Sequence, residues 1–292
     1  MSQSRPRRSC LYMPGANERA LEKAKTLAAD TLLLDLEDAV APDAKVEARA
    51  RVCEAVKAGG YGKRELVIRI NGLDTEWGAD DIRAAAAAGP DGILAPKVST
   101  AAQVTALDKA LTEAGASADM ALWIMIETPL AILNLKEIAE MAASTRLTAF
   151  VMGTNDLAKD MRAEMTPDRL AFQTQLSLSA TAARAFGIVA IDGVYNDIKN
   201  EDGFKAECEQ GRVMGFEGKT LIHPSQLGPC NEIFAPSAEV IAHSNDVIAA
   251  FADPDNRGKG VLKVNGKMTE LLHLAEARRL VEMDAAIKAM EG

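Results

Sequence analysis

A (β/α)8 barrel is the fold class this sequence predicts, on three observations. Eight short apolar, β-rich runs recur before residue 225 with longer helical patterns between them, which is the signature of repeated β/α units. Nearly every run ends in an ionisable or strongly polar residue, although buried parallel strands should read as unbroken apolar runs. The glycine-rich turn that a doubly wound open sheet needs after its first strand is missing.

In chain order the runs are residues 10–13, 31–36, 66–71, 92–97, 122–127, 149–155, 188–194 and 219–223. Helical patterns fill the gaps, as at residues 17–29, 42–57 and 100–114; in the last of these Val104, Leu107 and Leu111 repeat at three-to-four spacing. Residues 237–251 read as a further helix, 252–260 as a turn-rich hinge carrying Pro254, Gly258 and Gly260, and 268–290 as a terminal helix. We therefore expect a barrel domain over residues 1–252 and a C-terminal helical lid extension over 253–292.

Composition narrows the function classes. The chain of 292 residues is 48% hydrophobic and 26% charged, enough to bury a core, and its 33 basic against 42 acidic residues give a net charge of −9. That charge disfavours steering onto nucleic acid or an anionic membrane, and seven Phe, two Trp and three Tyr give little for stacking bases. Four scattered cysteines form no C-x-x-C pair, three histidines have no metal-binding spacing, and no stretch reads as a signal peptide or membrane span. A cytoplasmic protein is expected. Gly218-Lys219-Thr220 ends like a phosphate loop, but Val213 stands where its first glycine belongs; Gly115 to Asp119 fails the serine-nucleophile elbow at its last position.

The strand-end residues are Asp35, Glu37 and Asp38, Arg69 and Asn71, Lys97, Glu127, Asp156, Asp192 and His223. In a barrel they share one place, the carboxyl-end mouth where active sites form. Residues two apart share a strand face, so Val67, Arg69 and Asn71 align, as do Trp123, Met125 and Glu127. Glu127 and Asp156 are hard oxygen ligands of the kind that bind Mg2+ with water and substrate completing the shell; a pair neutralised by Lys97 or Arg69 is the competing reading. Arg69, always charged within an apolar strand, needs an anionic partner, either Asp35 or Glu37, or a substrate carboxylate.

Ordered motifs run through the chain: Arg8-Ser9-Cys10-Leu11-Tyr12-Met13-Pro14-Gly15, Asp35-Leu36-Glu37-Asp38-Ala39-Val40 with Lys45 and Arg49, Arg69-Ile70-Asn71-Gly72, Pro96-Lys97, Ile126-Glu127-Thr128, Gly153-Thr154-Asn155-Asp156-Leu157, Asp192-Gly193-Val194-Tyr195, and Ile222-His223-Pro224-Ser225-Gln226. With these the sequence resembles the citrate lyase β-subunit-like family of the HpcH/HpaI aldolase superfamily over nearly its whole length. The resemblance implies a trimeric or hexameric (β/α)8 enzyme acting on coenzyme A thioesters of 3-hydroxy acids that carry a second carboxylate. It implies Mg2+ on Glu127 and Asp156, with Mn2+ as a substitute, and Arg69 on the carboxylate of a keto acid, with Asp35 and Glu37 among the catalytic groups. Tyr12 and Lys23 would line the coenzyme A site, and Asn155, Ile222 and His223 would contact substrate. The stretch Asn265-Gly266-Lys267-Met268-Thr269-Glu270 resembles a lid that carries a catalytic acid to a neighbouring subunit's site, with Glu270 where the lyases have aspartate. Asn17 stands where malyl-CoA lyases have an arginine, and Arg19 is the nearby substitute. Carbon–carbon cleavage of malyl-CoA or citramalyl-CoA to acetyl-CoA and a 2-keto acid is the leading expectation. A malyl-CoA thioesterase is the alternative. A subunit of a citrate lyase assembly with an acyl carrier protein partner is the third.

Overall fold

The computed structural model describes residues 5–291. Its strands β1 (Ser9–Pro14), β2 (Thr31–Asp35), β3 (Glu65–Arg69), β4 (Gly92–Ala95), β5 (Ala121–Ile126), β6 (Leu147–Met152), β7 (Val189–Asp192) and β8 (Gly218–Leu221) form a closed parallel barrel in which β8 pairs back onto β1. The predicted (β/α)8 barrel is thus the fold observed, and the eight runs of the sequence are its eight strands. Helices α1 (Glu18–Ala24), α2 (Lys45–Ala58), α3 (Gly78–Ala88), α4 (Ala101–Glu113), α5 (Pro129–Leu133), α6 (Leu135–Glu140), α7 (Thr154–Met161), α8 (Gln173–Phe186), α9 (Glu201–Met214) and α10 (Leu227–Phe234) alternate with them. No helix among the described residues is long and apolar enough to cross a membrane.

Alternation along the strands builds the lumen. Cys10, Leu33, Val67, Leu94, Trp123, Met125, Ala149, Val151 and Ile191 pack together inside it. Two residues further along the same faces come Tyr12, Asp35, Arg69, Glu127, Gly153 and Gly193, which therefore crown the core at the carboxyl end. At the opposite end Arg7 closes the barrel: its Nε and Nη2 donate to Glu65 at 2.6 and 2.7 Å, and its guanidinium lies 5.1 Å from the Trp123 ring centroid.

The same alternation corrects one expectation. Asp192 follows the lumen-facing Ile191, so its carboxylate points outward into the helix layer, not into the mouth. There it accepts Arg169 Nη1 at 2.8 Å on both oxygens and Lys219 Nζ at 3.0 Å, while Glu207 of α9 takes Lys219 Nζ at 2.6 Å. All four residues are buried, and the two acids balance the two bases. Lys219, which the sequence presents as a broken phosphate loop, is the cation of this network.

From Glu232 onward the chain forms a second compact unit. Helix α11 (Ala238–Ala252), the hairpin β9 (Val261–Val264) and β10 (Lys267–Glu270), and α12 (Leu271–Glu291) meet around Val247, Val264, Leu274 and Ala277. Because α11 supplies part of that small core, the boundary by compactness falls at 231/232, ahead of the 252/253 break expected from sequence. Residues 268–270, expected as the start of the terminal helix, are instead in β10. Asn265 and Gly266 both take positive φ, 48° and 80°, as a two-residue hairpin turn demands, and that Asn-Gly pair was the signal.

The buried network gives a stability prediction. Asp192→Asn leaves Arg169 and Lys219 short of a counter-charge, and breaking a buried pair costs about 3–5 kcal/mol. Urea unfolding should show a midpoint lowered accordingly with little change in slope; an unchanged midpoint would mean the network is not carrying charge in the interior.

Candidate active site

Arg69 is the centre of the mouth. Register places it beside Asp35 on the neighbouring strand, and the two meet as a fork: Nε to Oδ1 and Nη2 to Oδ2, both at 2.7 Å. Nη1 reaches Glu37 at 2.9 Å and Asp38 at 3.3 Å, and the Tyr12 ring lies 4.7 Å away beneath the guanidinium. Burial raises the Tyr12 phenol, which stays neutral against that cation. Asp35 also accepts the Glu37 and Ala39 peptide N–H groups at 2.9 and 3.0 Å, so it ties Arg69 and the turn after β2 to one carboxylate. Lys45 braces that turn from behind by donating to the Leu36 and Glu37 carbonyls at 2.9 and 2.7 Å. Asn71 donates to the Leu36 carbonyl at 3.0 Å and to Asp81 at 2.7 Å, and Asp81 is paired to Arg49 at 2.6 Å. Of the partners the sequence left open for Arg69, Asp35 and Glu37 both hold it, together with Asp38.

Across the mouth, Glu127 follows the last residue of β5 and is buried. Lys97, just past β4, has φ of 55°, a left-handed turn that aims its peptide N–H at Glu127 Oε1, 2.6 Å away. Its ammonium lies 3.4 Å from Glu37 Oε1. The facing position, just past β6, is Gly153: a Cβ there would overlap the Glu127 carboxylate, so only glycine lets Glu127 lie against the strand end. The chain then turns directly into α7, and Asp156 stands in that helix's first turn. Burial first, then Glu37 and Asp156, push the Glu127 carboxyl up to about 8, against the lowering effect of the Lys97 N–H and of Arg69.

These groups fit a divalent cation. Asp35, Glu37, Asp38, Glu127 and Asp156 are five carboxylates against three cations, Arg69, Lys97 and Lys45, an excess of two negative charges when all are ionised. Among the described residues no three His, Cys, Asp or Glu side chains gather as an all-protein metal cage. A Mg2+ ion, which keeps waters and takes one or two carboxylates, suits Glu127 and Asp156 better than an ion that needs a full protein shell.

The other residues singled out in the sequence take no part in these contacts. Asn155 is exposed and exchanges amide hydrogen bonds with Asn196, at 2.8 and 3.3 Å, bridging the turns after β6 and β7. Ile222 is part-exposed, and its N–H is already donated to Gln226 Oε1 at 3.0 Å. His223 is exposed; its Nδ1 accepts the Ser225 N–H at 3.2 Å, which leaves the proton of the neutral ring on Nε2. Lys23 is exposed near the end of α1. Glu270 is exposed at the end of β10, in the second compact unit, with its N–H donated to His273 Nδ1 at 2.9 Å. Sequence reasoning missed the separate tasks of Lys97 and Gly153. The pattern marks Lys97 as a strand-end charge and Gly153 as part of a motif, but a positive φ and a close approach are tertiary facts.

Residues 8–224 match the family HpcH/HpaI aldolase/citrate lyase. Over 287 residues, 98% of each chain, the sequence is 51% identical to a (3S)-malyl-CoA thioesterase of Cereibacter sphaeroides. It is 36% identical over 291 residues to citrate lyase subunit beta of Leuconostoc mesenteroides subsp. cremoris, covering 97% of this chain and 95% of that one. Among solved structures, CitE of Mycobacterium tuberculosis in complex with magnesium, acetoacetate and coenzyme A is similar with a TM-score of 0.76 at 26% identity, over 97% of this chain and 99% of that one.

The geometry at Glu127 has consequences for stability and for metal binding. Its folded-state pKa lies above the 4.5 of a free carboxyl, so the folded protein holds a proton that the unfolded chain releases. The stability of the metal-free protein therefore falls as pH rises from 4.5 to about 8. Glu127→Gln should melt higher than wild type at about pH 8.5 in chelator, with the gap closing near pH 5. Added Mg2+ should raise the melting temperature of wild type but not of the variant. Gly153→Ala should keep the fold and weaken Mg2+ binding roughly ten-fold or more by calorimetry, since about 1 Å of displacement is enough to spoil a site.

Proposed function

This chain is an enzyme that belongs to the HpcH/HpaI aldolase/citrate lyase family, and on that premise we propose that it hydrolyses a malyl-CoA type thioester, with Mg2+ as its metal. The observation that carries this reading is identity of 51% across 98% of both chains to a (3S)-malyl-CoA thioesterase. The mouth supports it chemically: a fixed guanidinium, a movable ammonium and two negative charges in excess suit a substrate whose small anionic end arrives with a divalent ion.

Bound at Glu127 and Asp156, Mg2+ would supply a Lewis acid and a template for the substrate's carboxylate and adjacent hydroxyl oxygen. Arg69 stays pinned on Asp35 and provides a constant positive potential at the floor of the mouth. Glu127 gives up the proton it holds without the ion. Glu270 is the general base: its carboxylate takes a proton from water, the water oxygen bonds to the thioester carbonyl carbon, and the carbon–sulfur bond breaks as the coenzyme A thiolate takes up the proton. Malate and free thiol are the products. We assign Glu270 to the site of a neighbouring copy in a trimer or hexamer, a reading that the exposed Val261, Met268, Leu271 and Leu272 of the same unit support as contact surface.

Carbon–carbon cleavage is the second reading. It is favoured by the 36% identity to a citrate lyase β subunit and by the neighbour that holds acetoacetate with coenzyme A. A carboxylate of the mouth would then take the hydroxyl proton of the substrate, the bond between the hydroxyl carbon and the thioester's α carbon would break to leave a 2-keto acid and a thioester enolate, and Glu270, protonated in this reading, would give its proton to the α carbon.

Incubating the purified protein with (3S)-malyl-CoA and Mg2+ separates the two. Release of free thiol in step with malate, and none of glyoxylate, is the expected result. Glyoxylate and acetyl-CoA without thiol would overturn hydrolysis in favour of cleavage.

A further inference from the structure

The two carboxylates assigned to Mg2+ are held in different ways. Glu127 is fixed twice, by the Lys97 N–H at 2.6 Å and by the space that Gly153 leaves for it. Asp156 makes no side-chain hydrogen bond or ion pair among the described residues, and the helix that carries it, α7, starts after Gly153 with no side-chain cap. Its place is therefore set by the main chain of the first helical turn, and whatever holds that turn holds the carboxylate.

The side chain next to it supplies the hold. Asn196 Nδ2 donates to Asn155 Oδ1 at 2.8 Å, and Asn155 Nδ2 donates back to Asn196 Oδ1 at 3.3 Å. Asn196 lies in the turn after β7, and that turn is anchored at three points. The Gly193 N–H donates to Asp192 Oδ1 at 2.8 Å, within the buried network of four charges. The Tyr195 ring packs against Phe204 of α9 with centroids 5.9 Å apart, and a Cβ on Gly203 would overlap its hydroxyl. The Tyr195 carbonyl accepts Gln226 Nε2 at 3.0 Å.

Gln226 is the joint between two turns. It is buried, and its Oε1 accepts the N–H groups of Ile222 and His223 at 3.0 and 3.2 Å while its Nε2 reaches the turn after β7. Only a side chain that donates and accepts at once can do this: an ionised carboxylate has no donor and an ammonium has no acceptor.

We propose that Gln226 and Asn196 are positioning residues of the metal site: Gln226 clamps the turns after β7 and β8 together, and Asn196 carries that rigidity through Asn155 to the adjacent Asp156. This deepens the reading of Mg2+ on Glu127 and Asp156 and rests on it. Neither side chain is assigned a contact with the ion.

The test measures Mg2+ binding to the full-length protein by calorimetry, without substrate. Asn196→Ala should weaken binding roughly three- to ten-fold, the size of about one net hydrogen bond. Its melting temperature in chelator should stay within about 2 °C of wild type, because the amide pair is exposed. Asn155→Ala should lose a similar factor, and the double variant no more than either single one, since both remove the same pair. Asn196→Gln keeps the amide on a longer stem and should recover most of the affinity. Gln226→Met, which keeps the volume and deletes both ends of the joint, should weaken Mg2+ binding as well. Affinity within about two-fold of wild type in Asn196→Ala, or losses that add in the double variant, would overturn the proposal. Failure of the metal reading looks different: Asp156→Ala would then bind Mg2+ as wild type does. The latch is still decided in that case by hydrogen exchange at the Leu157 N–H, which donates to the Gly153 carbonyl at 3.1 Å. Faster exchange in Asn196→Ala supports it, and unchanged exchange overturns it.

Discussion

A guanidinium inside the third strand of a closed barrel has to be neutralised where it stands, and much of the mouth is organised by that requirement. Arg69 cannot lose its proton and is almost wholly buried, so the adjacent strand supplies Asp35 in register and the following turn supplies Glu37 and Asp38. The turn that carries those acids is then locked by Asp35 itself, by Lys45 and by Asn71. A single buried charge thereby fixes the conformation of the acidic turn after β2, and Tyr12 beneath it sets the floor.

The opposite wall is arranged for an unsatisfied charge. Glu127 is pushed against the end of β6 through the space left by Gly153, is held by one peptide N–H from a strained turn, and has Asp156 and Glu37 as like-charged neighbours that, with burial, outweigh the effect of Arg69. A carboxyl in that setting keeps its proton until a positive ion takes its place. The barrel thus has one side where ionic groups are paired and stiff and another where they await a ligand, with Lys97 as the half-exposed cation between them.

The buried network of Asp192, Lys219, Arg169 and Glu207 shows what a paired cluster without a ligand's place looks like. It balances its own charges, lies between strand and helix rather than in the lumen, and depresses the Asp192 pKa through Lys219 and Arg169 despite full burial. Charge at a strand end is therefore no sufficient sign of a site, and the parity of the residue along its strand decides which kind it is.

By itself the sequence determined the eight strands, their closure as a barrel rather than an open sheet, and the gathering of Asp35, Glu37, Arg69, Glu127 and Asp156 at one end. Those are consequences of local pattern: apolar runs of strand length, helical spacing between them, and a polar residue at each run's end. It also presented Glu270 as a lid carboxylate through resemblance, while the two-residue turn that puts this residue on a hairpin was legible in Asn265-Gly266 and read as helix. Only the tertiary structure decided that Asp192 faces outward, that Arg69 is already bound by three carboxylates, and that Glu127 is held by the backbone of Lys97. The reason is that which partner answers a charge depends on register between strands distant in sequence and on φ values that no single residue type dictates, and both are fixed only when the barrel closes.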